Sequence, residues 1–511
     1  MEPVVFAPGG RGTAAMDSIR DRRPRVLAVG VMTALAAWCL SPAARGQTRP
    51  ATPRPGPSTS SKPALALKKP AVPAAKAQPP PPAPAPKNDA PRFLVRDERG
   101  DEVAARLHGQ HGDHTVLELP DGKLGIPNIL VPTDRPFKPL SMQEVEDALL
   151  TGPFAQYQLL KTEHYLIFYQ STPEFARDSG RLLEDLYKGL VEAFRRTGFP
   201  VHDAEFPLVA VVYKTEDDYR KNKQVDPEVQ AFYEFYSNRI FLYEHSEREK
   251  LEPRLSYLLK PQTVAHEGAH QILANIGVQP RLSEWPLWLV EGLAEYCATT
   301  TRTKKGIVWS GLGAINSLHM ATLREIEDPV SIQLAAANPG PNPYAVPRRH
   351  GSRSEALVMK TKLTPTDYAL AWAMTHYLAA KRGEEFVGYL KALSQIPPLE
   401  PRDPTQHLEL FRKHFGADMV KLDKKVDDAV HKLSQKKGYD KLPYYAVIFQ
   451  QSLGNGTICR AATVSQSPQM IQQWVVDRTA AEGGAPTWQA TQHPTRARAT
   501  VFAQEWLGEL R

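Results

Sequence analysis

Between Pro261 and Gly277 the chain reads PQTVAHEGAHQILANIG, and this segment limits the fold more than any other. Proline suits the first position of a helix and glycine the position after its last turn, so the spacing predicts a helix over 261–277. His266 and His270 then lie about 40° apart around the axis and about 6 Å apart along it. Ala265, Ala269, Ile272 and Ile276 share the opposite face and have to be buried against a second element. Two imidazoles on one face at this spacing can hold one Zn²⁺ at about 2.0–2.1 Å. Glu267 stands between them, where a carboxylate can act as general base on water at the ion.

A catalytic zinc site needs a third protein ligand and one open position. Beyond His270, the stretch SEWPLWLVEGLAEYCA opens with a helix-start signal at Ser283 and Pro286 and then carries Glu291 and Glu295 four apart. Glu291, flanked by Trp288, Leu289 and Val290, is the expected third ligand. Glu295, one turn on, is placed to hydrogen-bond the free ring nitrogen of a ligand histidine and fix its tautomer.

HEGAH followed by WLVEGLAEY resembles the gluzincin metallopeptidases, which pair HExxH with a downstream Glu in a Trp-Leu-x-Glu-Gly context. Within that group, roughly 155–300, including TEHYLIFY, LLEDLYKGL and PLWLVEGLAEY, resembles the uncharacterised bacterial family called domain of unknown function 1570. The resemblance implies His266, His270 and Glu291 as zinc ligands, Glu267 as catalytic base, and an α+β fold with a thermolysin-like catalytic lobe. A metzincin would have Gly and His where this chain has Leu273 and Ile276, so that class is excluded. The Gly-x-Met-Glu-Asn stretch with which gluzincin aminopeptidases hold a free amino terminus is absent, which favours endopeptidase over aminopeptidase action.

Peptide hydrolysis also needs a donor for the developing oxyanion. TPTDYALAWAMTHYLAAK (364–381) reads as a capped amphipathic helix. Related families place a Tyr near the start of that helix, so Tyr368 is the candidate and His376 the reserve. The intervening loop, 328–353, is rich in Pro, Gly and Arg and reads equally as a lid or as a passive connection.

Outside these helices the sequence sorts into blocks. Residues 1–46 carry RDRRPR followed by fifteen uncharged residues, Val26 to Leu40, and then small residues. That order reads as a secretory signal, and fifteen residues are short for a span of about 20. An uncleaved anchor is the other reading. Residues 47–91 hold fourteen Pro, a composition that forms no core and serves as an extended linker. Residues 92–150 alternate like a small β unit, with HGQHGDH (His108, His111, His114) as a solvated turn. Residues 151–400 read as the main domain. There, 164–171, 206–213 and 231–244 are strand candidates, the last an extended pair around Ser237–Asn238. Helices are expected from 172 to 196 and over TEDDYRKN. Residues 401–511 read as one helical stretch (404–437) and a small α/β module with strands at YYAVIFQQ and GTICRAATV and a helix at SPQMIQQWVVDRTAA. Cys297 and Cys459 could form a single bridge.

The formal charge of +7 comes from the leader, with six Arg against three acids, and from residues 47–88, with seven Lys/Arg and no acid; the other 423 residues sum to −3. A slightly acidic body excludes nucleic acid as the partner. The expected protein is an exported zinc peptidase acting on peptides or proteins, tethered in the envelope through its N-terminal segment. The reading from a different class is a zinc-stabilised scaffold protein of the envelope with no turnover.

Overall fold

The computed structural model describes residues 90–98, 100–225, 229–246, 253–303, 306–327, 351–436, 441–452, 458–482 and 487–508. The leader, nearly all of the 47–91 linker and most of the 328–353 loop lie outside them. The fold is mixed α+β.

Five strands come first: β1 (Arg92–Arg96), β2 (Glu102–His111), β3 (His114–Glu118), β4 (Leu124–Gly125) and β5 (Val131–Pro132), in an antiparallel sheet of order β4-β3-β2-β1-β5. The histidine-rich turn is only partly solvated. His111 and His114 pair across the exposed hairpin end, whereas His108 is buried within β2 and its Nε2–H donates to the Arg281 carbonyl at 2.9 Å. The tertiary contact with Arg281 overrides the local polarity.

After α1 (Met142–Leu150), a second sheet is built from β6 (Gln158–Lys161), β7 (Tyr165–Tyr169), β8 (Leu208–Thr215), β9 (Ala231–Glu234) and β10 (Arg239–His245). Its order is β6-β7-β8-β10-β9, with β7, β8 and β10 parallel and the two edge strands antiparallel. Side chains alternate between two cores, as the strand period of two requires. Ile167, Ala210, Val212, Ile240 and Leu242 face α2 (Pro173–Arg196). Leu166, Phe168, Val209, Val211 and Phe241 pack with Tyr219 of α3 (Glu216–Asn222) and with α1. Thr172 caps α2 and Pro173 opens it. Ser237 and Asn238 form the turn between β9 and β10, with Asn238 at φ 57°.

The helix carrying the HEGAH string, α4 (Pro253–Asn275), begins about two turns before the expected start, so Pro261 lies inside it. It is followed by α5 (Leu287–Cys297), whose N-cap is Pro286 with no side-chain cap bond. Ser283, expected as a cap, instead donates its hydroxyl to the Ile396 carbonyl at 2.8 Å. A hairpin, β11 (Thr300–Thr303) and β12 (Gly306–Trp309), leads to α6 (Ser317–Glu327), α7 (Arg353–Val358), α8 (Pro365–Lys381) and α9 (Gly383–Ser394). Thr364 and Asp367 form a capping box at the start of α8. That helix is not amphipathic as expected: Ala369, Ala371, Trp372, Ala373 and Met374 are all buried, because α8 is central and covered all round.

The expected helical stretch after 404 is two helices, α10 (Pro404–Phe415) and α11 (Met419–Leu433), broken at Gly416 with φ 92°. The last module is a three-stranded antiparallel sheet of β13 (Tyr444–Ser452), β14 (Ile458–Ser465) and β15 (Thr487–His493), in the order β14-β13-β15. It carries α12 (Pro468–Glu482) on one face and α13 (Arg496–Leu507) on the other. Cys297 and Cys459 do not form the single bridge their number allowed, and burial pushes the Cys297 thiol up from its ordinary value. No helix of the described residues is long and apolar enough to cross a membrane.

Candidate metal centre

The motif residues converge because α4 and α5 pack together and each carries its pair of motif residues four apart, on one face. His266 and His270 bring their Nε2 atoms to 3.0 Å. Glu291 Oε2 lies 3.3 Å from the first and 3.8 Å from the second. Donors arranged tetrahedrally at about 2.0–2.1 Å from a zinc ion stand about 3.3–3.4 Å apart, so these separations fit one ion. The three side chains are buried, and neither Glu291 oxygen makes a hydrogen bond. Burying a carboxylate this way is costly without a cation beside it, and the donor set of two imidazoles and one carboxylate suits zinc.

Gln271 and Asn275 anchor α4 to the sheet. The Gln271 amide donates to the Val209 and Asn238 carbonyls at 3.1 and 2.8 Å, and Asn275 exchanges hydrogen bonds with Asn238. Glu267 is fully buried; its Oε2 accepts the Tyr233 N–H of β9 at 2.8 Å, and its Oε1 has no hydrogen-bond partner. Burial raises the Glu267 carboxyl above its ordinary value, against the pull of the His266 and His270 rings. Burial also acts upward on Glu291, but the same two rings outweigh it and hold that carboxyl down to about 2. The His266 ring is disfavoured as a cation by burial, yet Glu295, Glu291 and Glu267 together raise its pKa well above the ordinary histidine value. An ion entering here therefore has to displace a proton.

Glu295 sits one turn along α5, with Oε1 3.3 Å from His266 Nδ1. Its Oε2 lies 2.9 Å from Nε2 of His319, a buried residue of α6 for which the sequence offered no motif. Tyr368, partly buried on α8, comes close to Glu291; burial and the charges of Glu291, Glu295 and Glu267 raise its hydroxyl well above its ordinary value. His376 lies two turns further along α8, where its Nε2–H donates to the Gly313 carbonyl at 3.1 Å. Together with Gln262, Tyr296 and Thr299 it lines a cavity of about 690 Å³. The structure thus brings His266, Glu267, His270, Glu291, Glu295 and Tyr368 together and sets His376 apart from them.

Residues 261–400 match the family model described as protein of unknown function, DUF1570. The resemblance expected over roughly 155–300 is therefore found further along the chain, on α4 through α9, and it spans the centre just described. No curated protein matches the chain. Among the described residues one other group, Glu163, His164 and Glu184, has metal-capable spacing. There Glu184 is already engaged by the His164 ring, the His164 backbone N–H and the Thr162 hydroxyl, which gives it a structural role.

Proposed function

We propose that this chain is an exported zinc-dependent metallopeptidase that hydrolyses internal peptide bonds of a peptide or protein substrate. The observation that carries the reading is the convergence of His266 Nε2, His270 Nε2 and Glu291 Oε2 beside a buried Glu267 with one unpaired oxygen. His266, His270 and Glu291 would hold the ion and leave one position open. Bound zinc supplies Lewis acidity, polarising the scissile carbonyl and lowering the pKa of water there. Glu267 takes the proton on Oε1 while Oε2 stays tied to the Tyr233 N–H, and then passes it to the leaving amine. The Tyr368 hydroxyl, kept protonated by burial and the surrounding carboxylates, donates to the oxyanion.

Endopeptidase action draws support from the sheet. β9 is an edge strand beside Glu267, and an extended peptide laid along such an edge continues past the site in both directions. The unpaired Glu267 oxygen weighs against a purely structural zinc site, which has no use for a base. Export and envelope tethering rest on the leader and the basic linker. A Glu267→Gln variant is expected to keep one zinc per chain by mass spectrometry and to lose at least about 10²-fold in hydrolysis of a peptide library. Unchanged turnover in that variant overturns the assignment.

A further inference from the structure

We propose that His319 is a positioning residue that fixes the His266 ring for metal binding by clamping Glu295. The proposal rests on the zinc reading above and concerns a residue at the start of α6, separated from the Glu295 helix by the β11–β12 hairpin and outside any recognisable motif. Its basis is one continuous set of ion-pair contacts, His266 Nδ1 to Glu295 Oε1 at 3.3 Å and Glu295 Oε2 to His319 Nε2 at 2.9 Å, in which neither ring nitrogen makes an aligned hydrogen bond.

A carboxylate reached by one ring at 3.3 Å can still rotate and offer that ring either oxygen or neither. Occupying the second oxygen removes this freedom, so Glu295 Oε1 stays directed at His266. A carboxylate draws a ring N–H toward it, so Nδ1 of His266 is the nitrogen directed at Glu295 and Nε2 is the one left to face His270 Nε2, Glu291 and an ion. The same logic requires the hydrogen of His319 to be on Nε2.

His319 is itself held rigidly. It is 1% exposed, and its ring lies 5.8 Å from that of Trp372 with 30° between the planes. The Asn316 side chain accepts the backbone N–H groups of Leu318 and His319 at 3.0 and 3.2 Å, fixing the start of α6. One turn on, the Thr322 hydroxyl contacts Ser467 at 2.6 Å, so the C-terminal module braces the helix that carries the clamp. This gives that module a route to the metal centre through packed, polar-pinned elements.

The test uses the full chain and measures zinc affinity by chelator competition, the visible absorption of the Co²⁺-loaded protein, and the melting of the metal-free protein. His319→Ala is expected to weaken zinc about 10- to 100-fold and to alter the Co²⁺ spectrum. His319→Gln, which keeps an N–H donor near the Nε2 position, is expected to restore most of the affinity and the wild-type spectrum. Wild-type zinc affinity in His319→Ala overturns the proposal. So does equal weakening in both variants that follows only the loss in metal-free melting temperature. A wild-type chain that binds no zinc overturns the metal reading as well, whereas wild-type binding with an indifferent His319→Ala removes the clamp alone.

Discussion

Arg281 lies in the loop that joins the two ligand-bearing helices, and its replacement by Met tests whether the N-terminal β unit holds that loop in place. The guanidinium reaches Glu118 of β3 at 2.5 Å, the Gly122 carbonyl at 2.8 Å and the Phe235 carbonyl at 3.1 Å. Both charged side chains are nearly inaccessible, at 3% and 6% exposure. Removing one partner of a buried pair costs about 3–5 kcal/mol. Glu118 keeps Arg106, at 2.5 Å, so the low end applies to the charge, while two carbonyls lose a donor at about 1–3 kcal/mol each where water cannot replace it. With the low end taken for each carbonyl as well, the sum is about 5 kcal/mol, or roughly 10–20 °C in melting temperature. Urea titration of wild type and Arg281→Met by tryptophan fluorescence reads the difference directly. A loss under about 1 kcal/mol refutes the reasoning, because it means the network is hydrated or the β unit is not seated on the loop.

Tyr368→Phe is expected to lower kcat by about 10²- to 10³-fold while leaving zinc content unchanged; equal kcat removes Tyr368 from the oxyanion role. Burial and the charge of Arg402 lower the His407 pKa from the ordinary histidine value to about 4, so the folded state holds that ring neutral. Between about pH 6.5 and pH 4 the unfolded state binds more protons, so stability is complete above that window and falls as the pH drops through it, by about 2–3 kcal/mol at pH 4.5. Urea titrations at pH 7 and pH 4.5 check this, and an acid loss as large in His407→Gln as in wild type refutes it.

What could be read from the sequence depended on whether a residue's role is local. The spacing of His266, His270, Glu291 and Glu295 survives because each pair lies on one helix, and helical geometry converts four-residue separations into a shared face. Thr364 with Asp367, and Thr172 with Pro173, are likewise local caps. Pro261 misled because proline is favoured at a helix start, yet here the helix continues through it from Pro253. His319 and His108 were invisible for the opposite reason. Each acquires its role from a residue far along the chain, Glu295 in one case and the Arg281 carbonyl in the other, and no periodicity encodes such a contact. The burial of α8 escaped because alanines on every face look the same whether a helix is central or merely a good helix former.

The glycines inside the two motif strings show that those strings encode packing as well as chemistry. A Cβ on Gly268 would lie 2.5 Å from Leu183 Cδ2 of α2, and one on Gly292 would lie 2.7 Å from both the Ala371 carbonyl oxygen and Thr375 Oγ1 of α8. Neither glycine needs an unusual backbone conformation, so the demand is for close approach. At Gly292 the obstruction is main chain, which cannot rotate aside as a leucine methyl can. The separation of α5 and α8 is therefore set by the missing side chain at 292, and with it the reach of every residue along one stripe of α8. Tyr368 meets the Glu291 level, Trp372 packs on His319 at the Glu295 level, and His376 enters the cavity at the Thr299 level. Three helices with four-residue repeats thus divide the centre into a ligand layer, a clamp layer and a cavity layer. A side chain at 292 would move α8 and Tyr368 while His266, His270 and Glu291 stayed on α4 and α5, so metal binding and oxyanion stabilisation depend on different contacts in the same core.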